Sequence, residues 1–198
     1  MTIATIEGLR QHLQWAIQLE HCTLPPYLCA LYSIKPGNNE ESARAIQSVF
    51  VEEMLHMVLA ANLLNAVGGT PAIDRPDFIP RYPAYLPHSA DAFLVPLARF
   101  APETIETFMR IERPETTDAP AEQDRYNTIG QFNQAIEQGI TALCSSLGET
   151  NVFTGDPAPP DHNPELQVRR KWNYHPSVCT ISHLRSKQSM RSKSRARA

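Results

Sequence analysis

The sequence predicts an all-α fold: a helical bundle with a long proline-rich crossover between its second and third helices, and without the bundle's last helix. Three observations carry this expectation. Apolar residues recur at steps of three and four in four separate segments, the mark of amphipathic helices. Residues 71–102 hold seven prolines, which no regular helix of that length tolerates, and the β-branched runs are too short to alternate as strands. After residue 168 the periodicity ends and the composition changes.

In the first segment the stripe runs Ile6, Leu9, Leu13, Ile17, Leu24, Leu28, Leu31, and the step from Ile17 to Leu24 skips a place occupied by Glu20. Pro25-Pro26 interrupt the pattern without ending it, which predicts a kinked helix or two helices meeting there. Lys35 to Asn39 reads as a turn. A second helix is expected over residues 41–67, stopped by Gly68-Gly69 with Pro71 beyond. Ile46, Met57, Ala60 and Leu64 fall within about 40° of Glu53 on a helical wheel, while Glu52 lies about 100° away and His56 one turn on. Bundles normally use short connections, so residues 71–102 form a special crossover, with a short helix near residues 89–100. The third helix, over residues 103–113, has Ile105, Phe108 and Met109 on its apolar face, and Glu112 takes the next place. The fourth, over residues 122–147, carries Ile129, Phe132, Ile136, Ile140, Leu143 and Leu147, and residues 154–164 read as loop.

With 198 residues the chain is long enough for one domain with a sizeable core, placed at residues 1–165. Nine of its 18 Lys and Arg lie from Arg169 to Arg197, and no acid follows Glu165. Residues 166–198 are therefore read as a basic irregular tail, disordered or out of frame. No aromatic stacking platform accompanies the last basic residues, so nucleic acid is not an expected partner. No charged-then-apolar leader opens the chain, and the longest apolar run, Met57 to Ala61, is far below the ~20 residues of a bilayer-crossing helix, so no membrane partner is expected. Cys22, Cys29, Cys144 and Cys179 form no Cys-x-x-Cys pair, and on one helix Cys22 and Cys29 would lie ~10 Å apart, too far for a disulfide. Reduced, buried thiols in a cytoplasmic protein follow from this. Phosphate-loop, dinucleotide-binding and solenoid-repeat patterns are absent from the sequence.

The chemistry-bearing pattern is three acids, Glu20, Glu53 and Glu112, on three apolar stripes, one followed at i+3 by His56. A buried carboxylate is costly unless it is neutralised or paired. Several facing one interior call for a cation, and di-iron and di-manganese bundles combine single Glu residues with Glu-x-x-His pairs. Hard carboxylate oxygens offset the ions' charge and imidazole supplies a nitrogen. Glu53-Met54-Leu55-His56 has that spacing, with Glu20 and Glu112 as partner acids. Glu52 reads as solvated, His12 and His21 as surface residues flanking the first helix, Met54 and Met57 as core, and Glu137 as flanking the fourth stripe.

Leu19-Glu20-His21-Cys22-Thr23-Leu24-Pro25-Pro26-Tyr27-Leu28, Val51-Glu52-Glu53-Met54-Leu55-His56 and Asn62 to Gly69 resemble the ferritin-like domain of the iminophenyl-pyruvate dimer synthase family. Pro80-Arg81-Tyr82-Pro83, Leu86-Pro87, Ile111-Glu112-Arg113-Pro114-Glu115, Ile129-Gly130-Gln131-Phe132 and Phe153 to Pro157 extend the resemblance in order from residue 5 to about 160. It implies a ferritin-like bundle with Glu20, Glu53, His56 and Glu112 as metal ligands. Named members of the family couple imines of aromatic 2-oxo acids oxidatively, within larger proteins whose activity also involves haem. This chain resembles the small stand-alone members. It departs from the pattern at Asn133, where members tend to carry Tyr, and after Pro157, where the usual Glu-Gln-Gly-Glu helix and later His are missing.

The resulting expectation is an oxidoreductase with two iron ions, manganese being the alternative metal, acting with dioxygen or peroxide on a small aromatic or amino-acid-derived substrate. A non-catalytic metal-binding or storage protein assembled as a homo-oligomer is one alternative. A truncated, metal-free bundle, with residues 169–198 standing where the final helix would be, is the other.

Overall fold

A computed structural model describes residues 3–89, 93–112, 126 and 128–155. The architecture is mostly helical, in the order α1 (Ile6–Ser33), α2 (Glu40–Ala66), α3 (Pro102–Ile111), α4 (Ile129–Leu147) and a single closing turn, α5 (Glu149–Val152). The expected tail and its boundary at residue 165 lie outside the described residues.

Helix α1 starts where Thr5 takes the cap position and its side chain accepts from the Gly8 amide, satisfying one of the first-turn N–H groups that has no partner within the helix. Of the two expected outcomes, a kinked helix or two helices meeting, it forms one element of 28 residues that passes through Pro25 and Pro26. A proline has no N–H for the carbonyl four residues back, so Pro26 leaves the Cys22 carbonyl without its helical donor. The Tyr82 hydroxyl, from the crossover, donates to that carbonyl at 2.7 Å. The donor that restores the helix thus comes from 60 residues away.

Asn39 enters α2 in the left-handed region, and Gly68, at φ 72°, ends it just beyond Val67, as the glycine pair predicts. The Gly69 amide reaches back to the Leu64 carbonyl at 2.8 Å. The two helices form an antiparallel hairpin: Arg10 near the start of α1 donates to the Val67 carbonyl at the end of α2, at 2.9 Å. Gln14 on α1 exchanges two hydrogen bonds with the backbone of Ala72, which pins the first residues of the crossover. Gly155 closes the described chain against the same end of α2, donating to the Ala66 carbonyl so closely that a side chain there would overlap the Asn65 carbonyl.

The crossover departs from the expected absence of strands. After a 3-10 turn at Pro76–Phe78, β1 (Ala84–Tyr85) pairs antiparallel with β2 (Leu94–Val95), Ala84 opposite Val95. Among the described residues, the short helix expected near residues 89–100 is not formed: Leu94–Val95 is β2, and Ser89 bridges to Tyr126. Helix α4 starts at Ile129 rather than near residue 122, because Thr128 caps it by accepting from the Gln131 amide. Residues 122–125 lie outside the described residues.

The core is built on α1. Leu9, Leu13, Ile17 and Tyr27 are almost wholly enclosed, meeting Ile46 and Leu64 of α2 and Phe132, Ile136 and Leu143 of α4. By length and hydropathy alone α2 is long and apolar enough to cross a bilayer, more than its longest uninterrupted apolar run suggests. Its buried face, with Glu53 in it, packs on α1 instead.

Candidate metal centre

Glu20, Glu53 and His56 meet between α1 and α2. Glu20 fills the gap in the α1 stripe and is 4% exposed; Glu53 fills the gap in α2 and is 3% exposed. The i+3 spacing brings His56 one turn on to the same face as Glu53. Its Nδ1 lies 3.6 Å from Glu53 Oε1 and 3.9 Å from Glu20 Oε2. One ligand atom from each residue falls within 4.8 Å of the other two.

Two carboxylates brought this close at such burial repel one another and forfeit hydration. A protonated His56 would offset only one of the two charges. A cation at the point where two oxygens and a nitrogen converge offsets both, and this donor set suits iron, manganese or zinc better than a soft thiophilic ion. The residues present therefore fit a metal.

Glu112 is placed differently. It is half-buried at the C-terminal cap of α3, outside the convergent group, and Oε1 accepts from the Tyr27 hydroxyl at 2.9 Å. Tyr27 is buried on α1 and its ring lies against Phe108 of α3, centroids 4.5 Å apart. Helix α1 thus presents Glu20, Thr23 and Tyr27 at steps of three and four, on one face. Thr23, fully enclosed, places its hydroxyl 3.1 Å from Glu53 Oε2. Neither hydroxyl stood out in the sequence, although their i+3 and i+7 spacing from Glu20 was a usable signal.

His12 is not a surface residue: it is buried, its Nδ1 2.7 Å from the Gly8 carbonyl and its Nε2 3.0 Å from the Tyr126 hydroxyl. The carbonyl can only accept, so Nδ1 carries the proton and Tyr126 donates to Nε2. His21 is half-buried against Phe78, and burial lowers its pKa from the ordinary histidine value. Glu52 is exposed, as expected. Met54, expected in the core, is exposed, while Met57 packs against the core from its edge. Cys29 is likewise exposed rather than buried, whereas Cys22 is enclosed and burial pushes its thiol pKa up.

A cleft is lined by Leu19 of α1, Ile111 of α3 and Phe132 of α4, together with Phe93, Tyr126 and Arg110; Glu20, Glu53, His56 and Glu112 do not line it. The Arg110 guanidinium lies over the Phe93 ring, 4.1 Å from its centroid.

Comparison with known proteins agrees with this architecture. The family model described as Ferritin-like matches residues 13–190. Among solved structures, the chain is similar to a ferritin like protein from Caulobacter vibrioides, known from a crystal structure at 1.95 Å resolution, with 32% sequence identity and a TM-score of 0.61. The match covers 71% of this chain and 55% of that one, so the chain spans little more than half of that protein's length. No curated protein matches the chain.

Proposed function

Because the chain belongs to the ferritin-like family, we propose that it is a di-metal carboxylate protein whose centre is built on Glu20, Glu53 and His56, with Glu112 as a further ligand. The observation that carries this reading is the convergence of two buried carboxylates and one imidazole, from facing helices, within 4.8 Å. Two iron ions are the proposed occupants, with manganese as the alternative. The reaction is oxidation of a small aromatic or amino-acid-derived substrate, as in the dimer-synthase branch that the sequence motifs resemble. The site belongs to a cytoplasmic protein.

When bound, such ions supply the capacity to activate dioxygen or peroxide. The chain's own residues supply the rest. Glu20 and Glu53 provide anionic oxygens from opposite helices, and His56 provides a neutral nitrogen when its Nδ1 is free of a proton. Tyr27 keeps Glu112 at the edge of the group through their hydrogen bond. The apolar walls that Leu19, Ile111, Phe93 and Phe132 give the cleft favour a substrate with an aromatic or aliphatic body.

The test is anaerobic loading with ferrous iron, followed by dioxygen and a panel of aromatic amino acids and their 2-oxo acids. Substrate-dependent oxygen consumption that is lost in Glu53→Ala supports the reading. Iron uptake without turnover of any candidate favours a storage role. Turnover by protein stripped of metal contradicts the proposal.

A further inference from the structure

We infer that Thr23 is a positioning residue for the metal centre: its hydroxyl holds one oxygen of Glu53 and thereby fixes which oxygen faces the cation. The inference rests on the metal-centre reading above and adds to it a residue that is not itself a ligand.

The two oxygens of Glu53 have different neighbours. Oε2 is 3.1 Å from the Thr23 hydroxyl, whereas Oε1 is the atom 3.6 Å from His56 Nδ1. The last torsion of a glutamate is broad and nearly two-fold, so without a partner the two oxygens exchange places at little cost. Thr23 removes that freedom. Its own rotamer is set by its branched β-carbon and by the Glu20 carbonyl, 2.7 Å from the hydroxyl oxygen in the preceding turn. The hydroxyl has one proton and two acceptors in reach, the Glu20 carbonyl at 2.7 Å and Glu53 Oε2 at 3.1 Å; the first contact is the shorter, and a carboxylate oxygen is the stronger acceptor when ionised. Both partners are enclosed, Thr23 at 0% and Glu53 at 3% exposure. One side chain therefore links the backbone of the residue bearing one carboxylate to the side chain of the other.

A threonine in mid-helix that merely bonds its own preceding turn would influence helix stability and nothing else. The two roles separate in a metal titration. Thr23→Val keeps the shape and removes the hydroxyl; Thr23→Ser keeps the hydroxyl and removes the methyl. Manganese(II) binding to the full chain is measured by calorimetry, alongside thermal unfolding of each metal-free protein. Loss of a group that orients a ligand is expected to weaken manganese binding by about 10- to 100-fold in Thr23→Val, and Thr23→Ser should stay within about threefold of wild type. The number of ions bound should not change. If Thr23→Val does not fold, Thr23→Ala removes the same hydroxyl without the added branch. Wild-type affinity in the hydroxyl-free variant, with only its unfolding temperature altered, overturns the role of Thr23 and leaves the metal centre standing. A wild-type chain that binds no manganese and no iron overturns both.

Discussion

The two helices that carry the centre are nearly equal in length and opposite in environment. Helix α1 buries twelve of its 28 residues, and α2 only four of 27: Ile46, Glu53, Ala60 and Leu64. One quarter of what α2 buries is thus a carboxylate, while Val51, Met54 and Leu55 on the same helix are left exposed. Burial of apolar area holds α1 in place. It does not account for Glu53, which takes a sheltered position that an exposed leucine two residues later could fill at lower cost. The contrast sets a central helix that is held by packing beside a sparsely buried helix, one of whose four sheltered positions is a carboxylate.

Truncations probe that contrast most strongly. Leu13→Ala or Ile17→Ala on α1 should cost about 2–5 kcal/mol, whereas Val51→Ala or Leu55→Ala on α2 should stay within about 0.5 kcal/mol. Urea unfolding of the metal-free chain measures both, and equal losses on the two helices would remove the distinction. The dependence of α1 on a distant donor gives the next effect. Tyr82→Phe leaves the Cys22 carbonyl without a hydroxyl donor and should destabilise the chain by about 1–3 kcal/mol. An unchanged unfolding midpoint would show that the proline pair needs no such help.

Glu53→Met sharpens the comparison in the opposite direction. Removing one of two facing buried carboxylates and leaving Glu20 beside His56 should keep or raise the stability of the metal-free chain, by about 1 kcal/mol, while abolishing metal uptake. A large loss of stability without metal would make Glu53 a structural residue. The smallest effect lies within α1 itself: a thiol reagent on the native protein should modify exposed Cys29 before enclosed Cys22, whose raised pKa also lowers its thiolate fraction. Peptide mass mapping separates the two sites, and the reverse order would contradict the packing of α1.

The parts of the site legible in the sequence are those set by one helix at a time. Glu20 and Glu53 showed as gaps in apolar stripes, and His56 followed from its spacing to Glu53, because helical periodicity alone decides which face a residue takes. Glu112 was expected as the next place on a stripe of Ile105, Phe108 and Met109, but α3 ends at Ile111, buries Thr104, Phe108 and Ile111 and leaves Met109 exposed, so Glu112 sits at the cap; its distance from the other acids depends on how the crossover sets down α3. What failed in each other case was a long-range partner. The proline pair left one kinked helix and two helices equally open because the donor that mends the gap is Tyr82, and His12 looked superficial because Tyr126, 114 residues on, covers it. Thr23 could be placed on the face of Glu20 by its i+3 spacing, but its contact with Glu53 exists only once α2 faces α1. The two-residue ladder in the crossover was illegible for the same reason: pairing, not propensity, makes it.

The central claim is that Glu20, Glu53 and His56 form a metal centre. The most direct measurement is metal content and ferrous iron binding of the full chain, beside Glu20→Ala and Glu53→Ala, with circular dichroism to show that all three are folded. The account predicts close to two ions bound per wild-type chain and a loss of binding in both variants. A folded wild-type chain that binds neither iron nor manganese, or folded variants that bind as wild type does, would contradict it.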